Sequence, residues 1–187
     1  MPMSFMYWQY FIALEDSLAA TERYVEVHPD NFAAYSVEYA RILLSASSEV
    51  DVLLKQLCDV ASPNVKVENI NDYRRIVTQK YPKFYTIEVL VPRYGLARQP
   101  WAAWGTGDNP DWWRWYNKVK HERESHYRQA NLQNALDAMA GLFAVVLYLR
   151  RASGDTETPY PRPKLLDLKV SPGYLIVRSN YGLPDYT

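Results

Sequence analysis

Three residues within positions 111–123 have the types and spacing to act on a phosphate group: Arg114, Asn117 and His121. An α-helix advances about 100° per residue, so with Arg114 at zero, Asn117 falls near ~300°, His121 near ~340° and Lys118 near ~40°. They form one polar stripe. Arg114 and His121 stand two turns apart, about 10 Å along the axis, within converging reach of a single phosphate. Arginine offers a rigid fork of donors that matches phosphate oxygens. Histidine gives or takes a proton near neutral pH, and asparagine can orient the imidazole or hold an oxygen. The competing reading of the same spacing is the solvated face of an amphipathic helix. Its other side carries Trp115, Val119 and Trp112, near ~100°, ~140° and ~160°, for the core.

The neighbourhood adds charge and rings. Lys118, Lys120, Arg123 and Arg128 accompany Arg114 against Glu122 and Glu124. This locally basic stretch either draws RNA in a salt-dependent way or is a solvated helix end. Five of the six tryptophans (Trp101, Trp104, Trp112, Trp113 and Trp115) fall within fifteen residues. Such clusters pack cores more often than they stack bases; Trp113, near ~260° at the border of the polar stripe, is the one predicted to meet a ligand. His126 lies off the stripe and is expected to make a local hydrogen bond. A spacing of five does not set two ligands on one helix face, and no cysteine is nearby, so neither a metal nor another cofactor is expected. No Gly-rich phosphate loop, nucleophile elbow or carboxylate cluster with ligand spacing is present. Cys58, in the apolar run Leu57-Cys58, reads as a buried structural thiol.

The elements that must carry these residues are mostly helical. A first helix is predicted over residues 4–25, with Phe5, Trp8, Phe11, Ile12, Leu18 and Tyr24 on its inner face. After the break at His28-Pro29, Asp30 or Asn31 is the expected cap of a second helix over 31–60. There Phe32, Tyr35, Tyr39, Ile42, Leu43, Ala46, Val50, Leu53 and Leu57 recur at steps of three and four. On the same helix Glu38, Ser45, Glu49 and Gln56 form a second, polar stripe, with Arg41 nearby. A short helix over 69–80 ends at Tyr81-Pro82. Residues 81–109, with a β-type run at 86–91, read as a functional loop or a small strand insertion. Asn109-Pro110 is an expected start for the fourth helix, and a fifth spans about 127–151. Beyond 152 the chain is punctuated by Pro159, Pro161 and Pro163. Two β-like runs at 165–170 and 174–179, joined by Ser171-Pro172-Gly173-Tyr174, predict a hairpin on a type II turn.

Composition sets the frame. The chain has 187 residues, 48% hydrophobic and 22% charged, within the globular norm for one domain. Its 21 basic and 21 acidic residues cancel, so any hold on nucleic acid must come from a local patch. A single cysteine fits a reducing, cytoplasmic setting. The N-terminus lacks the basic start of a signal peptide. The apolar run 136–149 contains Asp137 and falls short of the roughly 20 residues a bilayer requires, so a core helix and no membrane role are expected.

The run Arg114-x6-His121 within RWYNKVKHER resembles the Rx4–6H motif of the HEPN superfamily, carried on a late helix of an all-α bundle. The likeness covers roughly residues 4–151. Asn117-x3-His121 keeps the asparagine-to-histidine step of the common form, with Tyr116 where that form has arginine. Trp115 stands where it has a polar residue after the arginine. The resemblance implies a metal-independent endoribonuclease of toxin or defence type, working as a homodimer that puts two motifs in one cleft. His121 would then be the acid/base, Arg114 the phosphate stabiliser and Asn117 the orienting group. Lys118, Lys120 and Trp113 would lie on the RNA. It also implies an acidic residue of the second helix facing the motif, here Glu49, pairing with Arg114. An antitoxin or other partner protein fits the same class. Two other readings remain: a non-catalytic nucleotide- or protein-binding module, and a structural dimerisation domain. The expected architecture is an all-α bundle of about five helices over 1–151, with a strand insertion before the fourth. A proline-punctuated tail with a β-hairpin, 152–187, is expected to pack on the same domain.

Overall fold

The computed structural model describes residues 3–168 and 182–186, with side chains from Met6 onward. Helix α1 spans Met3–Thr21, α2 Val37–Ala61, α3 Ile70–Lys80, α4 Asp111–His121, the single turn α5 Arg123–His126, and α6 Leu132–Ala152. Strands β1 (Val89–Val91), β2 (Leu96–Arg98) and β3 (Asp167–Leu168) make a small antiparallel sheet in the order β2-β1-β3. The described chain is therefore a helical bundle with a minor β element, as its sequence predicts.

The core is built around α2 and α6. Tyr39, Ile42, Leu43, Ala46, Val50, Leu53 and Leu57 of α2 are all buried, so the predicted stripe is the one that packs. In α6 the apolar side chains are buried around the whole circumference. This helix is long and apolar enough to span a membrane, yet most of it is enclosed by the rest of the chain. From α1, Trp8, Phe11 and Leu18 enter the core, and Ile12 packs against it. Phe5 lies outside the described side chains.

Several boundaries differ from the sequence reading. Helix α1 stops at Thr21, whose hydroxyl donates to the Leu18 carbonyl at 2.7 Å, and Tyr24 is 88% exposed rather than inward. Helix α2 begins six residues later than expected, with Ser36 accepting from the Tyr39 N–H at 3.0 Å. Asp30 and Asn31 instead sit in a short 3₁₀ turn that the His28 ring caps. The delay has a cause: residues 34–36 are held extended against the start of α6, through the Tyr35–Asn131 bridge and the Leu132 N–H bond to Ala34 O at 2.9 Å. Helix α6 likewise starts at Leu132 under an Asn131 cap, five residues beyond the predicted start.

The insertion before α4 contains a true hairpin. The turn Pro92–Tyr94 leads to Gly95, whose φ of 63° is left-handed, and β1 returns antiparallel as β2. Within the run at 165–170, Asp167–Leu168 is a strand and pairs with β1, and the predicted turn 171–174 lies outside the described residues. The second run, 174–179, lies outside them.

What brings the strap 160–168 back to the bundle is a buried carboxylate. Glu15 is 0% exposed and accepts three consecutive backbone N–H groups, from Lys164 at 2.9 Å, Leu165 at 2.8 Å and Leu166 at 2.9 Å. Trp8 Nε1 adds a bond to Pro161 O at 2.9 Å. A Glu15→Gln variant keeps the shape but turns an amide donor toward these N–H groups. Its expected cost is about 2 kcal/mol or more, read as a lower midpoint in urea denaturation; an unchanged midpoint would show that the strap is held otherwise.

Candidate functional site

Helix α4 has two faces because its inner one is anchored by tryptophan. Trp112, Trp113, Tyr116 and Val119 are buried. Trp112 donates from Nε1 to Pro100 O at 2.9 Å. Its ring lies so close to α6 that a Cβ at Gly141 would come within 2.8 Å of it. Trp101, whose ring meets that of Trp112 edge-on at 5.2 Å, donates to Gly141 O at 3.3 Å. The glycine is what lets the α4 aromatics approach. The start of α4 is tied to α3: Asn109 does not cap, but accepts from Arg74 Nη1 at 3.1 Å and donates to Asn71 Oδ1 at 3.0 Å. Pro110 takes the cap position.

With that face fixed inward, Arg114, Lys118 and His121 all point to solvent. The structure thus brings three of the predicted residues onto one exposed line. His121 makes no hydrogen bond or ion pair among the described residues. Arg114, 68% exposed, pairs with Asp111 one turn earlier on its own helix. Lys118 pairs with Glu122 at 2.8 Å. Glu122 also accepts from the His126 ring at 3.2 Å, the local bond expected for that histidine. The Lys118 ammonium, followed by His126, holds the Glu122 carboxyl below its usual range. Lys118, Lys120 and His121 occupy the last turn of α4, where positive charge also complements the helix dipole.

The remaining predicted residues lie elsewhere. Asn117 is half-buried, and its Nδ2 donates back to Trp113 O at 3.0 Å, which leaves Oδ1 and one N–H for a neighbour. Lys120 leans over the Tyr116 ring, 5.4 Å from its centroid, on the other flank of the helix. Trp113 is 7% exposed and belongs to the core. The tryptophan left outside the core is Trp115, which had been placed on the inner face. A helical wheel centred on Arg114 misplaces the hydrophobic centre: burial of Tyr116 and Trp113 rotates it by about 55°, roughly half a residue step, toward Trp113.

Glu49 does not pair with Arg114. It is half-buried, carries no ion pair among the described residues, and burial raises its pKa. Gln56, on the same stripe of α2, donates to the Tyr7 hydroxyl of α1. The α3 side of α2 is marked instead by Asp51, which accepts from Tyr73 at 2.9 Å. Because α4 is tied to α3 through Asn109, Glu49 lies along the opposite edge of α2.

Two other chemistries find no support among the described residues. No group of three or more histidine, cysteine, aspartate or glutamate side chains is arranged to hold a metal ion. Cys58 is buried, and burial pushes its thiol up to about 12. No family model, curated protein or solved structure matches the chain.

Gly141→Ala should lower the melting temperature despite alanine's higher helix propensity. Overpacking against the pinned Trp112 costs about 1–3 kcal/mol, against a propensity gain of roughly 1. Cys58 should resist a maleimide in the native protein and react within minutes in denaturant; rapid native labelling would contradict its burial.

Proposed function

We propose that this chain is a metal-independent endoribonuclease that works as a homodimer, with the exposed stripe of α4 as its phosphate-handling surface. The observation that carries the reading is the solvent-facing, uncommitted imidazole of His121 in line with Arg114 and Lys118. An imidazole without a protein partner is free to exchange protons with a substrate. Among the described residues Arg114 is engaged only by Asp111, in a pair whose side chains are 68% and 71% exposed. Such a surface pair is weak, so a phosphate can displace the carboxylate. Asn117, with its amide nitrogen bonded to the Trp113 carbonyl, keeps Oδ1 as an acceptor one turn before His121.

The reaction these groups suit is internal transfer at phosphorus. One imidazole removes the proton from the 2′-hydroxyl, and that oxygen attacks the adjacent phosphorus. The bond to the 5′-oxygen breaks, and a second, protonated imidazole supplies the leaving oxygen with its proton. Arg114 balances the charge that builds on the non-bridging oxygens. The products are a 2′,3′-cyclic phosphate and a 5′-hydroxyl, and neither water nor metal enters the balance. Each α4 stripe offers one histidine, so two protomers supply the acid and the base.

A second reading is a non-catalytic module that binds a nucleotide or a partner protein. It draws on the same Arg114–Asp111 pair, which leaves the guanidinium partly neutralised at rest.

Incubating the purified protein with RNA in EDTA should yield fragments with cyclic-phosphate ends. His121→Ala should slow cleavage about 100-fold or more. Asp111→Asn, which frees Arg114, should tighten RNA binding. Binding without cleavage would favour the module, and cleavage undiminished in His121→Ala would rule out the assigned chemistry.

A further inference from the structure

The chain buries five of its six tryptophans, Trp8, Trp101, Trp104, Trp112 and Trp113, in the core. Trp115 is the exception: it is half-buried and not part of the hydrophobic cluster. It is not isolated. Its ring lies 5.9 Å from that of His126, tilted by 46°. The next residue, Tyr127, meets Tyr35 edge-on at 5.7 Å, and Tyr35 is 47% exposed. Single surface aromatics need no explanation; here two ring pairs, Trp115–His126 and Tyr127–Tyr35, are only partly buried and meet in the chain at the adjacent residues His126 and Tyr127.

These rings come from α4, the turn after α5 and the segment before α2, and specific contacts assemble them. Glu122 holds the His126 ring, and the Tyr35–Asn131 bridge fixes the third segment. The Trp115–His126 contact is tilted and the Tyr127–Tyr35 contact edge-on, so neither pair is a flat stack. Arg123 and Arg128, exposed in the same stretch of chain, have no carboxylate partner among the described residues. Of the acids in this stretch, Glu122 is engaged by Lys118 and His126, and Glu124 is exposed as well.

We infer that Trp115, His126, Tyr127 and Tyr35 form a ledge on which unpaired bases of single-stranded RNA stack, beside the α4 stripe. Partly exposed rings in a stretch that also carries exposed guanidinium groups match a strand that presents flat bases and phosphates together. A duplex keeps its base faces inside the stack and offers this surface only its phosphates. The inference rests on RNA being the ligand of the reading above, but not on that RNA being cut.

The test is anisotropy of a labelled oligouridine RNA with the full chain at fixed salt. Trp115→Ala and Tyr35→Ala should each weaken binding roughly 10-fold, and Trp115→Phe should restore most of it. A duplex of equal length should bind more weakly and be indifferent to these changes. The Arg123→Gln/Arg128→Gln double variant should reduce the salt dependence of binding by about one to two in the log–log slope. Should Trp115→Ala misfold by circular dichroism, Tyr35→Ala and Trp115→Phe decide alone. Equal binding of duplex and single strand, or wild-type affinity in folded Trp115→Ala and Tyr35→Ala, overturns the ledge. Trp115-dependent binding without cleavage sinks the nuclease and leaves the ledge standing; no RNA binding at all sinks both.

Discussion

The central stretch of helix α6 has no apolar side left to water, and the remainder of the fold follows from covering it. From Leu136 to Leu149 every residue is buried except the half-buried Asp137. Each fully buried Leu, Val or Phe is worth roughly 1.5–3 kcal/mol, so exposing any flank of this helix would forfeit a large part of the fold's stability. The apolar stripe of α2 covers one flank, α1 a second through Phe11 and Phe143 stacked at 5.1 Å, and the tryptophan-rich segment a third. Asp137 is the single charge in that stretch, and Arg98 of β2 grips it through two bonds of 2.6 and 2.7 Å. A lone carboxylate there would be costly, so the one polar interruption of α6 also fixes where the hairpin must sit.

The C-terminal part of the chain is recruited by the same logic of satisfying buried polar groups. Glu15 brings a carboxyl group into the interior, and three peptide N–H groups take the place of water. The strap so held continues into β3 against β1. Farther on, Asp185 accepts from the Tyr148 hydroxyl of α6 at 3.0 Å and from the Lys83 backbone N–H at 2.9 Å. Tyr186 completes the enclosure against Tyr81 and Tyr148, with ring centroids 5.8 and 5.9 Å away.

How far the sequence could be read follows from the range of the forces involved. Helix periodicity is local, so α2, α3, α4 and α6 are legible in the spacing of Tyr39 through Leu57 or of Trp112 through Val119. Their ends are less so. Ser36 caps α2 because residues 34–36 are pinned by residues 130–132, and nothing near Asp30 announces that. The strand partner of Asp167–Leu168 lies more than seventy residues back, and a turn signature at Pro172-Gly173 cannot name it. In the site, Arg114, Lys118 and His121 share a face because 3.6 residues make a turn; Glu49 depends on which edge of α2 meets α4, a packing fact. Trp113 and Trp115 were exchanged for a related reason. The angle of each around the helix is local, but the direction of the core is not, and a glycine in α6 sets it by admitting Trp112.

The two faces of α4 are therefore coupled. Because Trp112 and Trp113 are held in the core, the helix cannot roll to bury its cations, and the stripe stays in solvent with its charges balanced along the helix rather than across the bundle. Asp111 answers Arg114, and Glu122 answers both Lys118 and His126. A twofold pairing of such stripes would set Arg114 and Lys118 opposite their own copies, and like charges at close range repel strongly. The intrahelical carboxylates are what would let two stripes approach at rest. A phosphate chain entering between them would supply negative charge with better geometry for the arginine forks, releasing Asp111 to water. On this view the acidic residues beside the stripe do not weaken the case for a polyanion. They hold its place.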